Sequence, residues 1–371
     1  MRDIESNKME LLDFSSEKKA EWEKKRYPYA AHLEITPKCN FNCVHCYLQQ
    51  HHHEHQLSYD EIISIIDVLY EKGIIFLTLT GGEIFTRKDF MDIYMYVKKK
   101  GFLVELFTNG ALITDEIIKT LAKYPPLLVE ISLYGGCEET YKKVTGIEGA
   151  FDRVVSSCKK LIDANIRLSL KSPIINLTYG EIEDMRKIAD DLGVTFAPTF
   201  EICSTIDGDD LASKYMLTMK QILQYEINDF YKRDITNVDM EREKEQKLKA
   251  FERREYMFNC KIGLTSFVID YEGNMIPCMK VRHRGRKLTK DNFDEVWEEF
   301  GTYQNMKFSP KCKCIDCPSL YYCETCSAET EFNYGDLEYR PAETCMYARA
   351  RQNFYEKNMT GEEIINSLPD C

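Results

Sequence analysis

The chain has 371 residues, an apolar content of 44% and a formal net charge of −12. That length suits one large domain plus a smaller one, and the apolar share is enough to build a buried core. The acidic balance excludes nucleic acid as the general partner, since phosphate demands a Lys/Arg surface, and no apolar run approaches the roughly 18 residues of a membrane span.

Residues 1–28 read as a charged helical lead-in. They contain no apolar stretch of the signal-peptide kind, so the cytoplasm is the expected compartment. Thiols stay reduced there, which makes the 15 cysteines better explained as metal ligands than as a disulfide framework. Residues 29–198 alternate short apolar runs with amphipathic ones. Strands are expected at 30–36, 74–80, 103–107, 128–134, 167–172 and 194–197. Helices are expected at 58–72, 88–100, 114–123, 149–164 and 178–192. Ser58 with Glu61, and Thr178 with Glu181, have the spacing of capping boxes. Repeated strand–helix units imply an α/β fold with a parallel sheet and right-handed crossovers. Residues 199–258 read as a helical linker: a DGDD loop, the stretch MLTMKQILQYEINDFYKR, then a run of mixed charge expected to be a solvated helix face. Residues 259–371 are Cys-rich and end in a helix at about 346–365.

Three cysteines, Cys39, Cys43 and Cys46, stand in the spacing C-x3-C-x2-C within EITPKCNFNCVHCYL. Cys thiolates hold iron–sulfur clusters, and three of them leave one iron of a 4Fe-4S cube without a protein ligand. A zinc knuckle or buried thiols would use the same residue types. The triplet follows an expected strand and has His45 before its last cysteine, and so resembles the signature of the radical S-adenosylmethionine (SAM) enzymes. The resemblance implies a partial (β/α)6 TIM-like barrel and a SAM-binding 4Fe-4S cluster. It also implies reductive cleavage of S-adenosyl-L-methionine to a 5′-deoxyadenosyl radical that abstracts hydrogen from an unactivated C–H bond.

Further residues match the family pattern. Gly81-Gly82-Glu83 ends the second strand, where active sites of parallel α/β barrels lie; glycine admits a ligand close to the backbone, and in the family this motif binds the SAM amino group. Asn109 stands in a T-N-G at the end of the third strand and Ser132 near the end of the fourth. Lys171 and Arg153 are candidates for the SAM carboxylate, with surface charge as their other reading. Tyr47 is a candidate to lie near the adenine, with ordinary core as its other reading. Cys137, in YGGC, is a candidate radical-site thiol. HHHEH at 51–55 reads as a polar loop, with a metal site as the minor alternative, and Cys158, Cys203 and Cys371 are isolated thiols.

Cys260, Gly273 and Cys278 give C-x12-G-x4-C; Cys314, Cys317, Cys323 and Cys326 give C-x2-C-x5-C-x2-C; Cys345 follows, and Cys312 is an extra. This order resembles the SPASM domain, a small C-terminal extension of radical SAM enzymes that carries two auxiliary 4Fe-4S clusters. The last gap departs from the usual three residues. Paired C-x2-C motifs also suit structural zinc. Carried over residue by residue, the resemblance gives one cluster Cys260, Cys278 and Cys326 and the other Cys314, Cys317, Cys323 and Cys345. The fourth position of the first is then open or filled by Cys312. The expected function is oxidative modification of a ribosomally synthesised peptide by a thioether or C–C cross-link. Expected partners are that peptide, a separate leader-peptide-binding protein, because the lead-in is short, and an electron donor such as flavodoxin or ferredoxin. The alternatives are oxidation or decarboxylation of a small molecule (sugar, aminocyclitol, tetrapyrrole), formylglycine formation, or a non-enzymatic iron–sulfur or zinc scaffold.

Overall fold

The computed structural model describes residues 17–48, 55–202, 205, 212–232, 246–247, 251–357 and 359–368. The first part of the lead-in, His51–Glu54, Cys203, the DGDD loop, most of the mixed-charge run and Cys371 lie outside the described residues.

Six strands run parallel, each beside its predecessor: β1 (Ala30–Thr36), β2 (Phe76–Gly81), β3 (Leu103–Thr108), β4 (Leu128–Ser132), β5 (Leu168–Pro173) and β6 (Thr195–Thr199). The helices between them are α1 (Tyr59–Glu71), α2 (Phe90–Lys100), α3 (Asp115–Lys123), α4 (Glu138–Thr145), α5 (Ala150–Asp163) and α6 (Ile182–Leu192). The sheet does not close. β6 pairs only with β5, and its Pro198 suits an edge, where no ladder bond is lost. The parallel strands and unclosed sheet are those of a partial barrel.

Side-chain alternation sorts the strands into two faces. Leu33, Ile35, Leu77, Leu79, Val104, Leu106, Val129, Ile131, Leu168 and Leu170 enter one buried core with the helices. Glu34, Thr78, Glu105, Glu130, Ser169 and Lys171 alternate with them and face the other way, into the barrel lumen. Helix α1 shows why the pattern holds. Ile62, Ile65, Ile66 and Leu69 are buried along one stripe, each contributing about 1.5–3 kcal/mol on full burial. Ser58 and Glu61 form the expected capping box, contributing about 1 kcal/mol.

Four local features differ from expectation. Helix α4 was not foreseen. Thr178 makes no cap: its hydroxyl turns back to the Ile175 backbone, a 3-10 turn covers Tyr179–Glu181, and α6 starts only at Ile182. Glu181 instead accepts from Gly136 N at 2.7 Å. Beyond α9 (Ser327–Tyr334), the final helix is two, α10 (Ala342–Lys357) and α11 (Gly361–Ser367), because Thr360 and Glu363 form a fresh capping box. The sheet also continues past β1. β7 (Ser266–Ile269) joins β1 in parallel, and β8 (Asn274–Ile276) and β9 (Arg286–Lys287) follow antiparallel.

The C-terminal residues are packed on the barrel. From α8 (Phe293–Gly301), Phe293, Val296, Trp297 and Phe300 enter the main core, and Trp297 Nε1 donates to Arg26 O at 2.9 Å. Helix α7 (Met219–Lys232) packs Leu223 and Ile227 against Tyr347 and Phe354 of α10. Beside that contact, Arg351 makes a two-pronged bond to Glu226 at 2.8 and 2.7 Å. Among the described residues no helix is long and apolar enough to cross a membrane.

Candidate active site

The loop after β1 carries Cys39, Cys43 and Cys46, and it is held from both sides. On one side Gly82 N donates to Thr36 O at 2.8 Å and Glu83 N to Lys38 O at 2.8 Å. The approach is so close that only glycine fits. A Cβ on Gly82 would lie 2.4 Å from Lys38 O, and one on Gly81 would lie 2.2 Å from Thr36 O. Gly81 also has φ +139, which disfavours any side chain. On the other side Asn42 N donates to Thr145 O at 2.9 Å and Val44 N to Val144 O at 3.0 Å. Helix α4 is therefore the second wall of the cysteine loop. The Gly135-Gly136 pair just before it marked a break in the sequence and gave no sign of the short helix beyond.

Glu83 is fully buried. Its carboxylate accepts from Thr108 Oγ1 at 2.8 and 2.9 Å, from Asn109 N at 2.7 Å and from Phe85 N at 3.1 Å. Burial pushes this carboxyl up to about 7, against the pull of those donors. Asn109 reaches the cysteine loop directly, with Nδ2 2.8 Å from Asn40 Oδ1 and 3.7 Å from Cys39 Sγ. The G-G-E and T-N-G motifs thus form one hydrogen-bonded support under Cys39.

The thiols sit in an aromatic nest. Phe41 contacts Tyr134 and Tyr141, and the His45 ring lies 5.4 Å from that of Tyr134. Burial pushes the Cys39 thiol up to about 12 and raises those of Cys43 and Cys46, and Cys43 is raised further by its two partners. Beyond Asn109, Cys39 Sγ meets the Phe41 N–H at 3.4 Å and Asn40 Oδ1 at 4.0 Å, and His45 Nδ1 is buried with no partner among the described residues. Three crowded, poorly solvated thiols become thiolates only with compensating positive charge beside them. This soft, three-member donor set fits a 4Fe-4S cluster with one iron left open. Among the described residues no three His, Cys, Asp or Glu side chains stand as ligands of one metal ion. A cube asks less, since each thiolate meets its own iron.

The remaining candidates divide. Ser132 and Lys171 are register partners on β4 and β5. Lys171 faces the lumen, with Nζ 3.5 Å from Glu130 and 5.6 Å over the Phe107 ring. Arg153 is exposed on α5 and donates to Glu148 O at 3.3 Å. The Tyr47 hydroxyl donates to Glu34 at 2.8 Å, and Arg282 covers its ring at 5.2 Å. Cys137 is exposed at the N-terminus of α4, 3.6 Å from Glu181 Oε1 and 3.7 Å from Thr140 Oγ1. Sequence reasoning missed Glu34 and Arg282, whose pairing spans 248 residues and leaves no local signal.

The C-terminal cysteines form two neighbourhoods. Burial raises the thiols of Cys260 and Cys278, and each also feels Cys326. Burial pushes Cys314 up to about 12, helped by Cys312 and Cys323, and Cys345 is raised by burial with Cys323 and Cys317 beside it. Cys312 therefore keeps company with Cys314, in the second neighbourhood.

Comparison with known proteins agrees with this geometry. Residues 33–192 match the Radical SAM superfamily, a span from β1 to the end of α6. The chain is 26% identical to the antilisterial bacteriocin subtilosin biosynthesis protein AlbA of Bacillus subtilis, over 88% of this chain and 72% of AlbA. It is also 26% identical to the AdoMet-dependent heme synthase of Methanosarcina barkeri, over 85% of this chain and 95% of that protein. Its fold is similar to that of Streptococcus suis SuiB bound to precursor peptide SuiA, with a TM-score of 0.65, 16% identity and coverage of 93% of this chain and 82% of SuiB. With the domain match beginning on the strand that presents Cys39, Cys43 and Cys46, residues 33–192 are a radical SAM domain and the chain is a radical SAM enzyme.

Proposed function

We propose that this enzyme oxidatively modifies a ribosomally synthesised peptide, forming a thioether or C–C cross-link. Membership of the superfamily implies a 4Fe-4S cluster and SAM. In this reading Cys39, Cys43 and Cys46 hold that cluster, and Gly81, Gly82, Glu83 and Asn109 hold the loop that carries it. Ser132 and Lys171, register partners on β4 and β5, would hold SAM, with the Lys171 ammonium available to its carboxylate. Arg153, exposed and turned to Glu148 O, is the weaker candidate for that role. Bound cluster and SAM supply one-electron cleavage to a 5′-deoxyadenosyl radical. The chain's part is to orient the target C–H bond and to exclude water and other hydrogen donors.

The observation that carries the reading is the division of the C-terminal cysteines. Cys260 and Cys278 each feel Cys326, while Cys314 feels Cys312 and Cys323 and Cys345 feels Cys323 and Cys317; this reading takes Cys260, Cys278 and Cys326 as a set of three and Cys314, Cys317, Cys323 and Cys345 as a set of four. Two auxiliary clusters fit these sets, the first with one iron free for a substrate atom. The similarity to AlbA extends over 88% of this chain, and SuiB has been solved bound to precursor peptide SuiA. A second reading, a tetrapyrrole substrate, is favoured by the match to the heme synthase across 95% of that protein.

The deciding experiment incubates anaerobically reconstituted enzyme with SAM, reductant and any small Cys-containing peptide found encoded beside its gene. The peptide reading expects loss of two hydrogen atoms per cross-link, matched by 5′-deoxyadenosine. An unchanged peptide together with turnover of an iron porphyrin would transfer the assignment to the second reading.

A further inference from the structure

Among the described residues, Glu34 is a lumen-facing carboxylate tied directly to the C-terminal cysteine region. It lies on β1 between Leu33 and Ile35, which are core residues, so its side chain turns to the opposite face. The residue is fully buried. One oxygen, Oε1, takes two donors: the Tyr47 hydroxyl at 2.8 Å and the guanidinium of Arg282. The other, Oε2, is buried and has no partner among the described residues. Arg282 sits on the 3-10 segment Met279–Arg284, which begins directly after Cys278. Its guanidinium also lies 3.3 Å from Met279 Sδ and stacks over Tyr47 at 5.2 Å. Tyr47 in turn follows Cys46 in the chain.

These contacts make a continuous side-chain bridge. One end is the backbone next to Cys46, and the other is the 3-10 segment that follows Cys278. A buried carboxylate–guanidinium pair is a costly device for stability alone, because desolvation offsets most of the attraction. Its use is in specifying one geometry, and the planar fork of arginine is suited to that. Here the geometry specified is the position of the Cys39–Cys46 loop relative to the C-terminal cysteine region. Asn109 and Glu83 hold the same loop to the ends of β3 and β2.

We propose that Arg282 is a positioning residue for the radical SAM site, acting through Glu34 and Tyr47 to register the Cys39–Cys46 loop against the C-terminal cysteine region. It touches neither thiols nor SAM in this account. Its effect is on where the loop stands, and so on the environment of the cluster that the loop holds.

The test uses the reconstituted full-length holoenzyme and needs no substrate, so its outcome is independent of whether that substrate is a peptide. Two readouts are taken: the electron paramagnetic resonance spectrum of the reduced enzyme with SAM, and the rate of 5′-deoxyadenosine formation with SAM and reductant alone. Arg282→Met and Glu34→Gln are each expected to alter the SAM-bound signal and to change the substrate-free rate in the same direction by about threefold or more. The double variant should do no more than either single one, because both break one bridge. Arg282→Lys, which keeps a cation on Glu34, is expected to restore most of the spectrum and rate. Wild-type spectra and rates in fully iron-loaded Arg282→Met and Glu34→Gln would overturn the proposal. So would additive effects in the double variant, which would mean that the two residues act separately. Should Arg282→Met fail to hold iron, the near-isosteric Glu34→Gln and the Arg282→Lys variant decide the matter on the same criteria.

Discussion

Gly82→Ala is the substitution whose effect can be worked most directly from distances. The added Cβ would lie 2.4 Å from Lys38 O and 2.6 Å from Pro37 O, both backbone atoms, and real contacts stay beyond 3.0 Å. Backbone cannot rotate out of the way as a side-chain tip can, so Lys38 must retreat by at least 0.6 Å. Lys38 immediately precedes Cys39, and the displacement also stretches the bond from Glu83 N to Lys38 O, now 2.8 Å. Overpacking of this kind costs about 1–3 kcal/mol, which a chain of this size survives folded. The chemical effect is larger. Misplacing a reacting group by about 1 Å costs on the order of 10²-fold in rate, so SAM cleavage should fall by roughly ten- to a hundredfold. The assay is anaerobic 5′-deoxyadenosine formation, read with iron content and a thermal melt. Gly180→Ala is the control, since a Cβ there meets nothing within 4 Å, and it should leave all three readouts unchanged. A Gly82→Ala enzyme that cleaves SAM at the wild-type rate would refute the argument that this glycine is needed to seat the cysteine loop.

Other expectations follow from the same geometry. Glu83, raised to about 7 by burial, binds its proton more tightly folded than unfolded, so its contribution to stability is full below the ordinary carboxyl range, about 4.3, and is lost as pH rises through about 7. Glu83→Gln should remove that slope from a pH series of thermal melts. It should also cost about 1–3 kcal/mol, because both carboxylate oxygens accept from backbone N–H groups and an amide nitrogen cannot. Cys278→Ala should spare substrate-free SAM cleavage while abolishing product formation, measured by mass spectrometry. Cys312→Ala should retain the full iron complement and Cys345→Ala should lose part of it, measured by iron analysis, because Cys312 is the spare thiol beside Cys314.

The parallel sheet was legible because its strands are apolar on the helix-facing side and are separated by long amphipathic runs. All six expected strands correspond to β1–β6, with no end shifted by more than two residues. What escaped was decided by distant contacts or by weak local signals. Helix α4 is short and has Lys142 and Lys143 on its outer face, so its apolar face rests on few residues. Thr178 and Glu181 have capping-box spacing, yet Glu181 is drawn to Gly136 N and the Thr140 hydroxyl across the barrel mouth. Strands β7–β9 are two to four residues long and exist because β1 offers an open edge. In the candidate site, the triplet and the G-G-E motif were readable as motifs. That Glu83 and Asn109 bond to each other and to the cysteine loop was not, and neither was the Glu34–Arg282 pair.

The central claim is that Cys39, Cys43 and Cys46 together make this chain a SAM-cleaving enzyme. The measurement that tests it most directly is 5′-deoxyadenosine formation from SAM and reductant by reconstituted wild-type protein and by Cys43→Ala, with iron determined on both. The account predicts formation by the wild type, none by Cys43→Ala, and iron retained in the variant by the C-terminal cysteines. Equal formation by both, or none by an iron-replete wild type, would contradict it.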